Sequence, residues 1–166
     1  MQIQKLFFFL FTIFFFLTFV GCSSKKVTVS KHPLPKITEK SIPTIMLFPL
    51  QNYTDTPRAG MRASNIVEGI LSAEGYKLIY YPSEISRENA AKLAKEKQSN
   101  YYMLGAVSEW RYKTGIDGEP AVSFRLALYD TKTDKLIWSG IGSNNDWGNG
   151  SIGTTAQTLI EEMFKN

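Results

Sequence analysis

The feature that most constrains this chain is a pair of strand-like runs joined by an unusually long loop. The segment from Ala121 to Tyr129 alternates between apolar and polar side chains, and its apolar face carries Val122, Phe124, Leu126 and Leu128. Such alternation is typical of a β-strand with one face toward a core. An apolar-rich run from Tyr101 to Trp110 precedes it. The two runs predict a long antiparallel pair.

The connection between these two strands is longer than a hairpin needs. It contains about nine residues, whereas a minimal hairpin needs only about two. It contains both charge signs, an aromatic residue, two glycines and the nearby carboxylates Asp117 and Glu119. Because loops longer than a turn requires often carry function, this loop is the first candidate site.

The amino-terminal segment predicts export. Lys5 precedes an apolar run from Leu6 to Val20, which ends at Gly21 and Cys22. The run is shorter than the roughly 20 residues that span a bilayer, so residues 1–21 are interpreted as a cleaved signal peptide. Phe19-Val20-Gly21-Cys22 resembles the bacterial lipobox, with Phe19 where that motif usually has Leu, Val or Ile. Cys22, the only cysteine, is therefore the predicted lipidation site, and the lack of Asp after it resembles the signal for the outer membrane.

Residues 22–43 are predicted to form the lipidated cysteine and a flexible tether, and residues 44–166 a periplasmic domain. The tether is rich in Lys, Ser, Thr and Pro and contains His32, the only histidine, to which we assign no role. The formal net charge of +4 depends largely on the tether lysines, namely Lys25, Lys26, Lys31, Lys36 and Lys40. No nucleic-acid partner is predicted, since these charges do not form a folded basic face.

The remaining periodicities complete the fold prediction. Strand-like runs start at Thr44 and Tyr76, and a further strand follows at Lys135. Helical patterns cover residues 63–71, 87–98 and the region after Ser151, with Ser86 and Ser151 as caps and Gly75 as the end of the first helix. The sequence predicts a single layered α/β domain. Its mixed, mostly antiparallel five-stranded sheet is flanked by three helices in the order βαβαβββα.

No pattern for catalysis is found. The sequence has no Gly-rich phosphate loop, no nucleophile elbow and no Cys or His cluster with metal spacing. Asp117 and Glu119 are two residues apart in one loop and do not frame a substrate as an acid and base pair does across a cleft. We therefore predict a binding or structural module that is not an enzyme, with no cofactor and no metal.

Three stretches and one tryptophan resemble the PelC family, namely Glu109 to Lys113, Gly115 to Val122, Leu136-Ile137-Trp138-Ser139 and Trp147. The members of this family are outer-membrane lipoproteins of Pel exopolysaccharide secretion systems. The run from Phe48 to Gly60 fits the same family. The resemblance implies a homo-oligomeric ring of about a dozen lipid-anchored subunits on the periplasmic face of the outer membrane.

The resemblance also implies roles for single residues. Asp117, with Glu119 adding to it, would line an acidic funnel that guides a cationic amino-sugar polymer. The polymer would pass to an outer-membrane β-barrel exporter that has a helical-repeat periplasmic region. Trp147 would contact the membrane, since indole favours the lipid interface.

Simpler explanations stay open for several residues. Asp117-Gly118 is also a common turn pair, and Trp147 could instead pack under the last helix. Trp110 and Trp138, which lie within predicted strands, are expected in the core. The alternative function is a periplasmic lipoprotein that docks on and activates a peptidoglycan synthase. That alternative predicts a monomer with one docking face.

Overall fold

The computed structural model describes residues 25–30, 33–38, 41–112, 118–146 and 150–165. Seven strands and three helices follow along these residues. The strands are β1 (Lys25–Val29), β2 (Thr44–Leu47), β3 (Gln51–Asn52), β4 (Lys77–Tyr80), β5 (Tyr101–Tyr112), β6 (Pro120–Asp130) and β7 (Leu136–Asn145). The helices are α1 (Ala59–Ala73), α2 (Arg87–Glu96) and α3 (Ile152–Lys165).

All seven strands belong to one mixed sheet. The hydrogen-bonded order is β1-β7-β6-β5-β2-β4, and β3 pairs with β5 outside this path. The long pairings β5–β6, β6–β7 and β1–β7 are antiparallel, while β2 and β3 run parallel to their partners. The predicted α/β class with a mostly antiparallel sheet and three helices is confirmed. The sheet has two more strands than the predicted five, namely β1 and the two-residue β3.

Strand β1 lies inside the segment that the sequence analysis assigned to a flexible tether. Its five residues pair with β7, and its two valines, Val27 and Val29, pack against the main core. A five-residue edge strand with two apolar positions gives too weak a pattern to detect in a stretch rich in Lys and Ser. For Lys25–Val29 the structure therefore differs from the tether prediction.

The chain after β1 also contacts the domain. Leu34 packs against the main core, and the Tyr76 hydroxyl donates a hydrogen bond to the Pro35 carbonyl oxygen at 2.7 Å. This segment lies over a groove between α1 and α3, where Ile66 and Phe164 contribute to the wall.

The β5–β6 pair forms the centre of the sheet. The register pairs Tyr101 with Asp130 at one end and Tyr112 with Pro120 at the other, with an irregularity between Val107 and Glu109. The apolar face of β6 is fully buried, as predicted, and it packs with α1 and α3. Trp110 and Trp138 are both buried in this core, so their expected positions are confirmed.

The helices cover the two faces of the sheet unequally. Helices α1 and α3 cover one face, whereas α2 packs through Ala90 and Ala94 on a smaller cluster that includes Phe48 and Tyr102. Ser86 and Ser151 accept hydrogen bonds from the first turns of α2 and α3, as predicted. Gly75 follows α1 with φ of 92°, a backbone angle that favours glycine. Among the described residues, no helix combines the length and the hydrophobicity that crossing a membrane requires.

The start of α1 packs very closely on the chain that follows β2. The Leu50 amide donates to the Ser64 hydroxyl, which donates to the Gly60 carbonyl, both at 2.8 Å. A Cβ atom on Gly60 would fall on the Leu50 carbonyl oxygen, while one on Gly69, in the same helix, would meet nothing within 4 Å. Only a residue without a side chain allows this approach at position 60.

The substitution Gly60→Ala is expected to lower the free energy of unfolding by about 1–3 kcal/mol, because the backbone must move apart. Gly69→Ala, the matched control, should be neutral or stabilising by up to about 1 kcal/mol, since alanine favours the helix. Urea unfolding of both variants measures the difference. Equal stabilities would contradict the close packing of α1 on Leu50.

A polar cluster joins α2 to the turn between β6 and β7. The Tyr102 hydroxyl donates to the Asp134 carboxylate, which also accepts from Arg87 at 3.2 Å. The Arg87 guanidinium lies 4.7 Å from the centre of the Tyr129 ring, which stacks on Tyr102. The hydrogen bond from Tyr102 and the charge of Arg87 lower the pKa of Asp134. Burial, followed by the bond to Asp134, raises the pKa of Tyr102 to about 12.

Because the folded-state pKa of Asp134 is depressed, its contribution is complete above the ordinary carboxyl pKa and is lost as pH falls through the folded value. Tyr102→Phe should lower the free energy of unfolding by about 1–2 kcal/mol near neutral pH and by less in acid. Tyr129→Phe keeps the stacked ring and serves as the control. Urea unfolding at neutral pH and below the ordinary carboxyl pKa tests this, and a pH-independent difference would contradict it.

Candidate functional site

Two loops leave the sheet at the same end. Strand β5 ends at Tyr112 and β6 begins at Pro120, so the long loop predicted from the sequence connects these positions. The neighbouring strand β7 ends at Asn145, which pairs with Ala121. The chain segments 113–117 and 147–149 therefore both follow strand ends at the same end of the antiparallel sheet.

Hydrogen bonds hold the described flanks of these loops together. The Asp146 amide donates to the Pro120 carbonyl oxygen at 3.2 Å, and the Ile152 amide donates to the Tyr112 hydroxyl at 3.2 Å. The side-chain amide of Asn144, which is buried, donates to the Thr155 carbonyl oxygen at 3.2 Å. These bonds tie the start of α3 to β5 and β7. Both loops consequently begin from a rigid base.

The structure describes only one of the predicted site residues. Asp117, Trp147 and Cys22 lie outside the described residues, so their roles stay predictions. Glu119 is described; it is half-buried and interacts with another group of the protein. The structure thus gives the chain positions from which the loops of Asp117 and Trp147 depart.

A polar cleft of about 370 Å³ lies beside the base of the β5–β6 loop. One wall is the turn after β3, and the other is the end of β5 with Ser123 of β6. Its described lining consists of Tyr53, Thr54, Asp55, Thr56, Ser108, Glu109, Trp110, Arg111 and Ser123. The sequence analysis did not select Tyr53 or Asp55 as site residues, because about sixty positions separate them from this loop and only the sheet brings them together.

The turn at 53–56 is ordered by one asparagine. The side-chain oxygen of Asn52 accepts from the Thr54 amide at 3.1 Å and from its hydroxyl at 2.8 Å, while its nitrogen donates to the Thr56 carbonyl at 2.9 Å. The Thr56 hydroxyl then donates to the Trp110 carbonyl oxygen. An asparagine that bonds its own backbone in this way is a common reason for a defined turn. The cleft therefore has a fixed wall.

The cleft presents carboxylates and an aromatic ring to solvent. Asp55 and Tyr53 are exposed, and Glu109 is partly exposed with Arg111 at 3.1 Å. Exposed pairs of this kind contribute little to stability, typically below about 1 kcal/mol. Among the described residues, no group of three or more His, Cys, Asp or Glu side chains is placed to hold a metal ion. The arrangement is suited to accept hydrogen bonds from cationic or hydroxyl groups.

This fold is shared with solved structures of bacterial envelope proteins. Lipoprotein GNA1162 from Neisseria meningitidis matches with a TM-score of 0.53 and 21% identity, over 75% of this chain and 99% of that one. At this identity the match shows the fold alone. The class is therefore an α/β domain with a mixed sheet and helices on both faces, with its two long loops at one end.

The PelC dodecamer from Paraburkholderia phytofirmans matches more strongly. Its TM-score is 0.74, and the sequences are 30% identical over 84% of this chain and 94% of that chain. A point variant of the same dodecamer in another crystal form gives the same values, with 95% of that chain covered. The chain belongs to the PelC family. No protein-family model matches the sequence, and no curated protein does.

The ordered wall of the cleft yields a test. Asn52→Ala removes the bonds that shape the turn and is expected to lower the free energy of unfolding by about 1–2 kcal/mol. It should also speed amide hydrogen exchange at Thr54, whose amide loses its acceptor. Gln51→Ala, which removes only an exposed contact with the Tyr53 hydroxyl, is the control. Unchanged exchange in Asn52→Ala would show that the turn does not depend on this side chain.

Proposed function

We propose that this chain is a lipid-anchored subunit of a Pel exopolysaccharide export apparatus. In this proposal about twelve copies form a closed ring on the periplasmic face of the outer membrane. The observation that carries it is the similarity to a PelC dodecamer across 94% of that chain at 30% identity. Such a close match over a whole domain favours a common way of assembling.

The anchor in this proposal is the lipid on Cys22. Each buried methylene of an acyl chain contributes about 0.8 kcal/mol to membrane binding, so several chains hold a protein firmly. Trp147 would add an interfacial contact, because an indole ring prefers the boundary between headgroups and acyl chains. Both features place the ring against the membrane.

The funnel is proposed to use the carboxylates near the β5–β6 loop. Asp117 is the first candidate and Glu119 the second. Asp55 adds an exposed carboxylate in the polar cleft, where Glu109 is paired with Arg111, and the exposed ring of Tyr53 gives a sugar a flat surface to contact. Glu119 directly precedes β6, and Asp55 and Glu109 line the cleft beside the base of the same loop, which supports a common role.

A ring makes such weak contacts effective. Every exposed carboxylate is repeated in each subunit, so the fields add at the centre of the ring. Many weak contacts attract a cationic amino-sugar polymer without holding any one sugar, which lets the polymer slide. The subunit then acts by binding and guiding, with no catalytic step. The polymer would continue to a β-barrel exporter with a helical-repeat periplasmic region.

Polymer export in cells tests the funnel residue. Asp117→Asn is expected to lower exported polymer on the order of tenfold, since the steering field loses one charge per subunit. The matched control is Glu96→Gln, which removes the same charge at the end of α2. Native mass spectrometry of the lipidated proteins should show the same ring for the parent and both variants. Equal export by the two variants would contradict the funnel role of Asp117.

The assembly itself is tested by the same spectra. A ring of the parent protein supports the export collar. A parent protein that is only monomeric in detergent would overturn it, because a subunit without a central opening cannot guide a polymer. The compared structures give no support to the alternative of a peptidoglycan synthase activator.

A further inference from the structure

The described chain begins very close to the predicted lipid anchor. Only Ser23 and Ser24 separate Cys22 from Lys25, the first residue of β1. Three residues of extended chain span at most about 11 Å. A flexible tether of residues 22–43 would instead allow a separation of tens of ångströms. The length of free chain between lipid and domain therefore depends on whether β1 stays in the sheet.

Several contacts hold β1 in the sheet. All five residues are paired with β7, from Lys25 opposite Asn144 to Val29 opposite Gly140. The pairing continues past the strand, where the Ser30 amide donates to the Ser139 carbonyl oxygen at 2.8 Å. The Ser139 amide in turn donates to the Ser30 hydroxyl at 3.2 Å. The Lys25 ammonium group lies 2.8 Å from the Glu162 carboxylate of α3.

Strand β7 has the space that β1 needs. A Cβ atom on Gly140 would lie 3.1 Å from a methyl carbon of Val29, and one on Gly142 would lie 3.2 Å from the Lys26 carbonyl oxygen. Both distances are tighter than ordinary contact. Side chains of α3 would come closer still, at 2.9 Å from Met163 for position 140 and 2.8 Å from Leu159 for position 142, so the two glycines leave room for both β1 and α3.

The register decides which end of the sheet meets the anchor. Lys25 lies opposite Asn144, close to the end of β7, and Asn145 lies opposite Ala121 near the start of β6. This is the end at which Tyr112 closes β5. Tyr112 is 52% exposed, and an exposed tyrosine suits a lipid interface. Lys26 is also exposed there, and a cation near anionic headgroups is favourable.

We infer that β1 is a rigid coupling between the lipid anchor and the sheet, which holds the Tyr112 end of the sheet against a lipid surface. The inference rests on the proposed lipidation of Cys22. It shortens the connection between the lipid and the sheet from residues 22–43 to the two residues before Lys25, so the anchor also sets the orientation of the domain. The loops that carry Asp117 and Trp147 would then start at the lipid side of every subunit.

An introduced thiol reports the orientation, because Cys22 is the only natural cysteine and is blocked when lipidated. Tyr112→Cys places a fluorophore at the anchor end. Leu136→Cys, at the opposite end of β7 and similarly exposed at 53%, is the matched control. Each lipidated protein is reconstituted in phosphatidylethanolamine and phosphatidylglycerol vesicles that contain a nitroxide-labelled lipid. Circular dichroism confirms that the variants are folded.

Two insertions test the coupling. A Gly-Ser linker of about twelve residues, with a mean span of roughly 20 Å, is inserted between Ser24 and Lys25 in one protein. In the control the same linker follows Ser30, where a docked β1 still fixes the sheet to the anchor. We expect several-fold stronger quenching at position 112 than at 136 in the parent and in the control insertion, and a smaller ratio in the first insertion, where only the proposed Trp147 contact and the ring keep the orientation.

Equal quenching at the two positions of the parent protein would overturn the coupling. The coupling would also be overturned if both insertions reduced the difference between quenching at 112 and at 136 to the same extent. Mass spectrometry and native mass spectrometry separate this result from a failure of the proposed function. A lipidated, ring-forming protein with equal quenching contradicts the coupling alone. A mature protein without acyl mass contradicts both the proposed anchoring and the coupling.

Discussion

The antiparallel pairing of β5 with β6 is the interaction on which the other elements depend. β7 adds to β6, β2 and β3 add to β5, and α1 and α3 pack on the apolar face that the pair presents. Both strands are long, so their register sets many contacts at once. A slip by one residue would turn Phe124 and its neighbours out of the core and bring Arg125 into it. Exposing apolar side chains and burying a charge both cost free energy, so a single register is favoured.

That register also places the candidate site. The end of β5, the start of β6 and the end of β7 coincide, and hydrogen bonds from Asp146 to Pro120 and from Ile152 to Tyr112 connect them. The polar cleft lies next to this end because β3 runs beside β5 and carries the turn at 53–56 with it. Both loops therefore start from backbone that is held by hydrogen bonds to neighbouring elements.

The two edges of the sheet are formed by short strands. β1 occupies one edge, beside β7, and β4 the other. Strand β1 pairs with the backbone groups of β7 that would otherwise be open to another chain, and the short β1 becomes the edge in its place. Strand β1 is also the described segment nearest in sequence to Cys22, the predicted lipidation site, so its backbone bonds to β7 would connect a lipid on Cys22 to the core. Gly140 and Gly142 of β7 leave room for β1 and for the side chains of α3.

The sequence by itself determined the element types and most of the core. Period-two alternation in β6, the helical spacing in α1 and the capping serines are local patterns, and the faces they predict are the buried ones, with Trp110 and Trp138 inside. Only the tertiary structure decided that Lys25–Val29 is a strand, because its partner β7 lies more than a hundred residues away and its own pattern is weak. The same holds for the cleft, where Tyr53 and Asp55 meet Glu109 through parallel pairing of β3 with β5. Local periodicity shows which face of an element is apolar, whereas long-range pairing decides which distant polar residues share one surface.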